Sequence, residues 1–273
     1  MLKGKILYVN QEIMPFVPET PNARMGRYLP AATQEIGREI RLFMPRFSNI
    51  GERKHQLHEV IRLSGMNLIV NNCDHQLIIK VGSIPGARIQ VYFIDNEEYF
   101  MKRGGIEDTN ANFVDDNDER ILFFGRGVLE AVRKLAWQPN IIHFTGWFSG
   151  MIPFYLRRIN KENAFFAATK TVFSLTNDKF DGYFGSELEH KMKTDGATAK
   201  DLRMYQDLDW MQLMKAVVCY SHGIVIADPN LPQELLDFVH DTKKNVLEYN
   251  PNEKKFYQEI NDFYDMVAGS TMA

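Results

Sequence analysis

The stretch Ile6-Leu7-Tyr8-Val9-Asn10, then Leu29, Ala32 and Ile36, then Ile40-Arg41-Leu42-Phe43-Met44-Pro45, decides the fold. Residues 6–9 are short, apolar and rich in β-formers, which predicts a buried first strand. Pro15, Pro18 and Pro21 cannot continue a ladder and predict a long loop after it. From 27 to 39 the apolar positions recur at helical spacing, with Gly37 near the end, and residues 40–44 form a second apolar run stopped by Pro45. Strand, helix, strand is a βαβ unit, and it implies a parallel sheet.

Outward from that unit, residues 141–144, 170–175 and 224–227 read as further buried strands. Helical periodicity covers 121–135, 208–218, about 233–239 and about 253–267. In the last of these, Phe256, Ile260, Phe263 and Val267 share one face and should dock on the core. Three β-rich runs, 57–69, 76–81 and 89–94, are separated by turn residues and predict hairpins on a sheet edge. Residues 99–116 and 177–199 are polar and glycine-bearing, and read as loops. No repeat or linker interrupts the alternation. The expectation is α/β: a single Rossmann-like, doubly wound, mainly parallel sheet spanning 1–273, with a β-hairpin extension.

Composition narrows function. The 273 residues are 45% hydrophobic and 25% charged, the mix of a folded globular protein with a sizeable core. Lys and Arg total 32 against 35 Asp and Glu, so there is no global positive field for nucleic acid or an anionic membrane, and neither is expected as a partner. Cys73 and Cys219 lie far apart and outside any C-x-x-C pair, which argues against a disulfide scaffold or a cysteine zinc module. The N-terminus lacks the layout of a signal peptide and no stretch is long enough to span a bilayer, so a cytoplasmic location is expected.

Several local patterns suggest chemistry and are outweighed by a structural reading. Gly125-Arg126-Gly127 begins like a dinucleotide fingerprint, but lies in a helical pattern with Glu130 where a third glycine belongs. Ser149, in Gly146-Trp147-Phe148-Ser149-Gly150, lacks the glycine spacing of a nucleophile elbow and is expected to cap the following helix. His55 and His58 are flanked by Arg53, Lys54 and Glu59 and suggest a solvated surface rather than a metal site. Asp115-Asp116-Asn117-Asp118 and Asp207-Leu208-Asp209 each precede a helix, where acids cap and oppose the dipole. No metal or cofactor is expected.

A more specific signal is the order of many segments together. Glu12, Pro15 and Phe16; Leu29-Pro30; and Pro45-Arg46-Phe47 fall in the frame E-x-x-P-F, L-P and P-R-[YF]. Tyr92-Phe93-Ile94-Asp95-Asn96 with Tyr99-Phe100, and Glu119-Arg120 with Phe123-Phe124, continue the series. Trp137, Pro139, Ile141, Ile142, His143 and Trp147 match W-x-P-D-I-I-H-x-H-D-W-H. In this the chain resembles the N-terminal half of bacterial glycogen synthases and plant starch synthases. The resemblance implies one half of a GT-B fold and a retaining transfer of glucose from ADP-glucose to α-1,4-glucan. It nominates Glu12, His143, Trp147, Asn177 and Tyr183 for substrate binding and leaves the catalytic residues unknown.

The departures fall where that family handles substrate. Its K-T-G-G-L loop is replaced by Pro18-Glu19-Thr20-Pro21-Asn22, so the lysine and the glycines that meet phosphate are gone. Thr145, Gly146 and Phe148 stand at the second histidine, the aspartate and the third histidine of H-x-H-D-W-H. T-I-H-N becomes Ser174-Leu175-Thr176-Asn177. The charge pattern of the family's C-terminal donor domain does not follow Ala227. The expectation is therefore a glycogen/starch synthase-like protein inactive alone or completed by a donor-binding partner, with α-glucan or a sugar nucleotide as ligand. Alternatives are a non-catalytic α-glucan-binding or regulatory protein of glycogen metabolism, stacking sugars on Trp147, Phe148, Tyr183 and Phe184, or a Rossmann-like enzyme of unrelated chemistry. Phe16, Val17, Met25, Phe148, Met151 and Tyr183 are expected around an apolar mouth, covered by a second copy, by another protein or by the loop at 15–21.

Overall fold

The computed structural model describes residues 4–102, 105–106 and 113–269. Ten strands form the sheet: β1 Lys5–Asn10, β2 Glu39–Pro45, β3 His58–Glu59, β4 Met66–Val70, β5 Cys73–Ile84, β6 Ile89–Asp95, β7 Ile141–Thr145, β8 Lys170–Leu175, β9 Gly223–Ile226 and β10 Asn245–Leu247. Their order is β10-β9-β8-β7-β1-β2-β6-β5-β3, with β4 paired to β5 off that path. From β10 to β6 every pairing is parallel, and β5 turns antiparallel on β6 and carries β3 and β4.

The mainly parallel sheet with a hairpin extension is as expected, with two refinements. The run at 89–94 is not an edge hairpin: β6 pairs in parallel with β2, Phe43 beside Tyr92 and Pro45 beside Ile94. Val91, Phe93 and Ile94 are wholly buried, as a strand covered on both faces must be. The last strand is β10 rather than β9, a three-residue element too short to show a period.

The first helix, Pro21–Glu35, starts six residues before its apolar period. Thr20 caps it by accepting from the Ala23 N–H at 3.0 Å, and Pro21 occupies the first helical position, where its missing N–H costs nothing. The last of the three prolines thus begins the helix rather than prolonging the loop.

Helices cover both faces. By the two-residue period, Tyr8 and His143 share one face, and Val9, Phe43 and Ile94 point to the other. On the second face lies helix Asn117–Lys134, whose Gly127 rests directly on Ile94 and Leu77: a Cβ there would come within 3.0 and 3.1 Å of them. Gly125 meets Ile152 in the same way, so the pair in Gly125-Arg126-Gly127 serves close packing.

On the first face a buried hydrogen-bond chain joins both ends of the sequence. Thr33 donates to the Leu29 carbonyl at 2.9 Å, so the Tyr8 hydroxyl, 2.6 Å away, donates to Thr33. Tyr264, in helix Glu253–Val267, donates to Tyr8 at 3.3 Å. Its oxygen therefore accepts from His143 Nδ1–H, leaving Nε2 to accept from the Ser174 hydroxyl at 2.7 Å. Around this chain Phe256, Ile260, Phe263 and Val267 are buried, so the closing helix docks as its pattern requires. Tyr264→Phe should leave the His143 donor without its acceptor and cost about 1–3 kcal/mol, read as a lower urea midpoint. An unchanged midpoint would show that the chain carries no weight.

Candidate functional site at the carboxyl ends of the central strands

Parallel sheets place ligands beyond the carboxyl ends of their strands. At that edge β1 runs into Gln11-Glu12, β7 into Gly146-Trp147 and β8 into Thr176-Asn177-Asp178. The turn after β7 needs glycine twice over. Gly146 has φ of +87°, and a Cβ would lie 2.5 Å from Gln11 Cβ. That closeness lets Gln11 Oε1 accept the Phe148 N–H at 3.0 Å, while the Gln11 N–H donates to the Thr145 carbonyl at 2.9 Å.

Asp178 is the hub. Its Oδ2 accepts from the Trp147 N–H at 2.9 Å and from Asn22 Nδ2 at 3.0 Å, and its Oδ1 from the Trp210 indole at 3.1 Å. Asn22 is oriented in turn by the Thr176 hydroxyl, which donates to its Oδ1 at 2.8 Å. Beside this hub Glu12 accepts from the Thr20 hydroxyl, the same group that caps helix Pro21–Glu35. Burial pushes both carboxyls above the usual carboxylate range. For Glu12 the nearby Asp178 charge adds to burial against the Thr20 bond, and for Asp178 the three donors only partly offset it. Two perturbed carboxyls at this edge make it the candidate site: they bring acceptors and proton-carrying groups rather than cations.

The residues nominated from sequence are spread across this region. Trp147 meets the hub through its backbone N–H, while its side chain is buried among Phe113, Phe148, Phe180 and Phe184, and Glu12 lies beside the hub, bonded to Thr20. Asn177 is exposed beside Asp178, and its N–H donates to Asp228 at 3.3 Å. His143 lies two residues inside the end of β7, wholly buried with both ring nitrogens engaged. Burial drives its pKa down to about 3, so it stays neutral. Tyr183 is 67% exposed and lines a separate cavity of about 450 Å³ with Phe113, Asp115, Asp118, Phe184 and Glu187. Gln11, Asn22 and Asp178 were not foreseen. The position of Asp178, three residues past the end of β8, was the available signal.

The apolar mouth is covered by the chain itself. Phe16, Met25, Phe148 and Met151 are buried, Phe16 edge-on to Phe93 at 4.9 Å, and of the expected set only Tyr183 is strongly exposed. The weaker motifs resolve structurally. Ser149 donates to the Gly146 carbonyl at 2.8 Å and does not cap the next helix. Asp209 caps helix Trp210–Tyr220 through the Gln212 N–H at 2.7 Å. Asp118 and Glu119 occupy the first turn of helix Asn117–Lys134 and pair with the buried Lys191. His55 packs on Phe16, and His58 is exposed in β3. Among the described residues no cluster of His, Cys, Asp or Glu could hold a metal ion.

A family model described as the starch synthase catalytic domain matches residues 5–248. The chain is 38% identical to the glycogen synthase of Chlorobium limicola over 174 residues, 63% of this chain and 36% of that protein. It is 29% identical to the glycogen synthase of Chlorobium phaeovibrioides over 232 residues, 85% of this chain and 47% of that one. It thus spans less than half the length of these relatives. Its fold is similar to the catalytic domain of starch synthase IV from Arabidopsis thaliana bound to ADP and acarbose, with a TM-score of 0.71 at 15% identity, covering 90% of this chain and 51% of that one.

The raised carboxyls give a signed expectation. A carboxyl whose folded pKa lies above its unfolded value holds extra protons when folded, so its stabilising contribution is full at low pH and is lost as pH rises through the folded value. His143 acts oppositely, since its folded pKa is depressed and stability falls as pH drops below about 6.5. Glu12→Gln keeps an acceptor for Thr20 and removes the carboxyl's part alone. Its stability relative to the native chain should therefore rise as pH increases from about 4 upward. Urea midpoints measured across pH check this, and a constant difference would contradict it.

Proposed function

Because the chain belongs to the starch synthase catalytic-domain family, we propose that it is a glycogen/starch synthase-like protein of the glucosyltransferase type, which engages α-glucan and does not turn over ADP-glucose with these 273 residues alone. The observation that carries this reading is the closed start of helix Pro21–Glu35. In the family's K-T-G-G-L frame this is where lysine and bare backbone N–H groups would receive phosphate. Here Pro21 has no N–H, Thr20 Oγ1 takes the Ala23 N–H, and the Arg24 N–H donates to the Thr20 carbonyl at 2.9 Å. Arg24, the cation of that turn, is already paired with Glu19 at 3.1 Å and Glu253 at 2.7 Å. A phosphate charge within about 4 Å of the Glu19 carboxylate is opposed by about 1–4 kcal/mol, from bulk water to the protein surface. At this edge phosphate charge would have to be met by groups from elsewhere, which fits a donor-binding partner. On this reading the isolated chain is a pseudoenzyme.

The α-glucan side is supported by Tyr183. An exposed ring bordering a cavity that also carries Asp115 and Glu187 offers a stacking face and hydroxyl acceptors, the pairing that suits a sugar. We place the protein in the cytoplasm, in keeping with the free thiols Cys73 and Cys219. Among the described residues no helix is long and apolar enough to cross a membrane.

The test is paired. The purified chain, given ADP-glucose and glycogen, should incorporate no glucose, while maltooligosaccharides should bind saturably and about ten-fold or more weakly after Tyr183→Ala. Polymer elongation lost in Glu12→Gln would overturn the inactive reading, and absence of any maltooligosaccharide binding would overturn the glucan reading.

A further inference from the structure

At the opposite edge of the sheet, the amino ends of three neighbouring parallel strands each bring a basic residue. Lys170 opens β8, His222 immediately precedes β9 and Lys244 immediately precedes β10. Arg157, from the turn Tyr155–Ile159, reaches over this row. A cavity of about 200 Å³ opens here, lined by Arg157, Asn160, Lys161, Thr169, Thr171 and His222 among others, with no carboxylate in its wall. Glu162 pairs with Lys161 at 3.8 Å, and both side chains are well exposed.

Hydrogen-bond logic fixes the state of the imidazole. The Thr171 backbone N–H donates to His222 Nδ1 at 3.1 Å, and the Thr171 hydroxyl lies 2.8 Å from the same nitrogen. The His222 N–H donates to the Thr171 carbonyl at 2.9 Å and also meets Thr171 Oγ1 at 3.2 Å, which leaves that hydroxyl's proton to turn to Nδ1. A backbone N–H can only donate, so Nδ1 carries a lone pair and the ring proton sits on Nε2. Arg157 Nη1 lies 3.3 Å from that Nε2. A guanidinium has no acceptor, so two N–H donors face one another and cannot bond. One acceptor placed between them would satisfy both. Burial and the charges of Arg157, Lys170 and Lys244 lower the His222 pKa to about 4, which agrees with a neutral ring. Lys244 itself is held by the carbonyls of Cys219 and Ser221 at 2.9 and 2.7 Å, so it supplies field rather than contact.

We infer that this cavity is an oxyanion site for a phosphate group, free or carried by a small phosphomonoester, with His222 Nε2–H and the Arg157 guanidinium as its paired donors. The volume admits one such group, the field is positive, and a phosphate group offers arginine two oxygens for the bidentate pairing it prefers. The site stands apart from the carboxylate-lined mouth and does not depend on the function proposed above.

Calorimetric titration of the full chain with inorganic phosphate and with glycerol phosphate, at constant ionic strength in chloride, tests it. Nitrogen-15 spectra of the imidazole are followed alongside. The expected result is saturable binding, a shift of the His222 Nε2 resonance, and about ten-fold or greater weakening in Arg157→Ala. Lys193→Ala, an equal loss of charge on an exposed position elsewhere, should leave binding unchanged. Tighter binding of glycerol phosphate would assign a phosphomonoester, and equal binding the phosphate group alone. Arg157 is exposed, so its variant should fold, and a native unfolding midpoint confirms it. An Nδ1-protonated ring, no saturable binding, or equal weakening in Lys193→Ala would overturn the inference.

Discussion

The mouth of this protein is built around one half-buried carboxylate. Asp178 cannot be drawn out of water without donors, and the three it gathers come from three different segments: the start of helix Pro21–Glu35, the turn after β7 and the first residue of helix Trp210–Tyr220. Satisfying that group therefore fixes how these segments meet. Glycine at 146 allows the turn, Gln11 braces it, and Thr176 orients Asn22. The arrangement also sets the chemistry of the edge, because a mouth organised by Asp178 and Glu12 offers acceptors and negative charge where a phosphate-binding relative would offer N–H groups and cations.

Below the mouth the constraint is different. His143 keeps the residue type that the family resemblance highlights, yet its ring belongs to a directed chain running from Ser174 through Tyr264 and Tyr8 to the Leu29 carbonyl. Every donor in that chain has one acceptor, so its polarity is determined without ambiguity. It ties the closing helix to the first helix and to the central strands, and it holds the imidazole neutral. A residue that fits the family motif can thus serve to hold the sheet and its cover together.

Much of the architecture is legible from sequence because buried parallel strands are short apolar runs and their helices carry a clear period. That is why residues 6–9, 40–44, 141–144, 170–175 and 224–227 emerge without a structure. What escapes is set by pairing partners. β6 looks like its hairpin neighbours because nothing in its residues says that Tyr92 lies beside Phe43. β10 has too few residues for a period, and Pro21 reads as loop until Thr20 is seen capping a helix. At the site, Glu12 is legible through its motif. Asp178 and Asn22 are 156 positions apart and become a pair only in three dimensions. The apolar mouth is misjudged for a related reason: a list of hydrophobic loop residues does not reveal that Phe16 turns inward onto Phe93.

The central claim is that this edge is organised by carboxylates and closed to a diphosphate. The most direct measurement is an amide chemical-shift titration of the full chain with ADP, read at Ala23, Trp147 and Phe148, whose N–H groups are held by Thr20, Asp178 and Gln11. These signals should stay in place throughout the titration. A saturable shift of the three mouth amides on adding ADP would show that the helix start still receives phosphate, and would contradict the account.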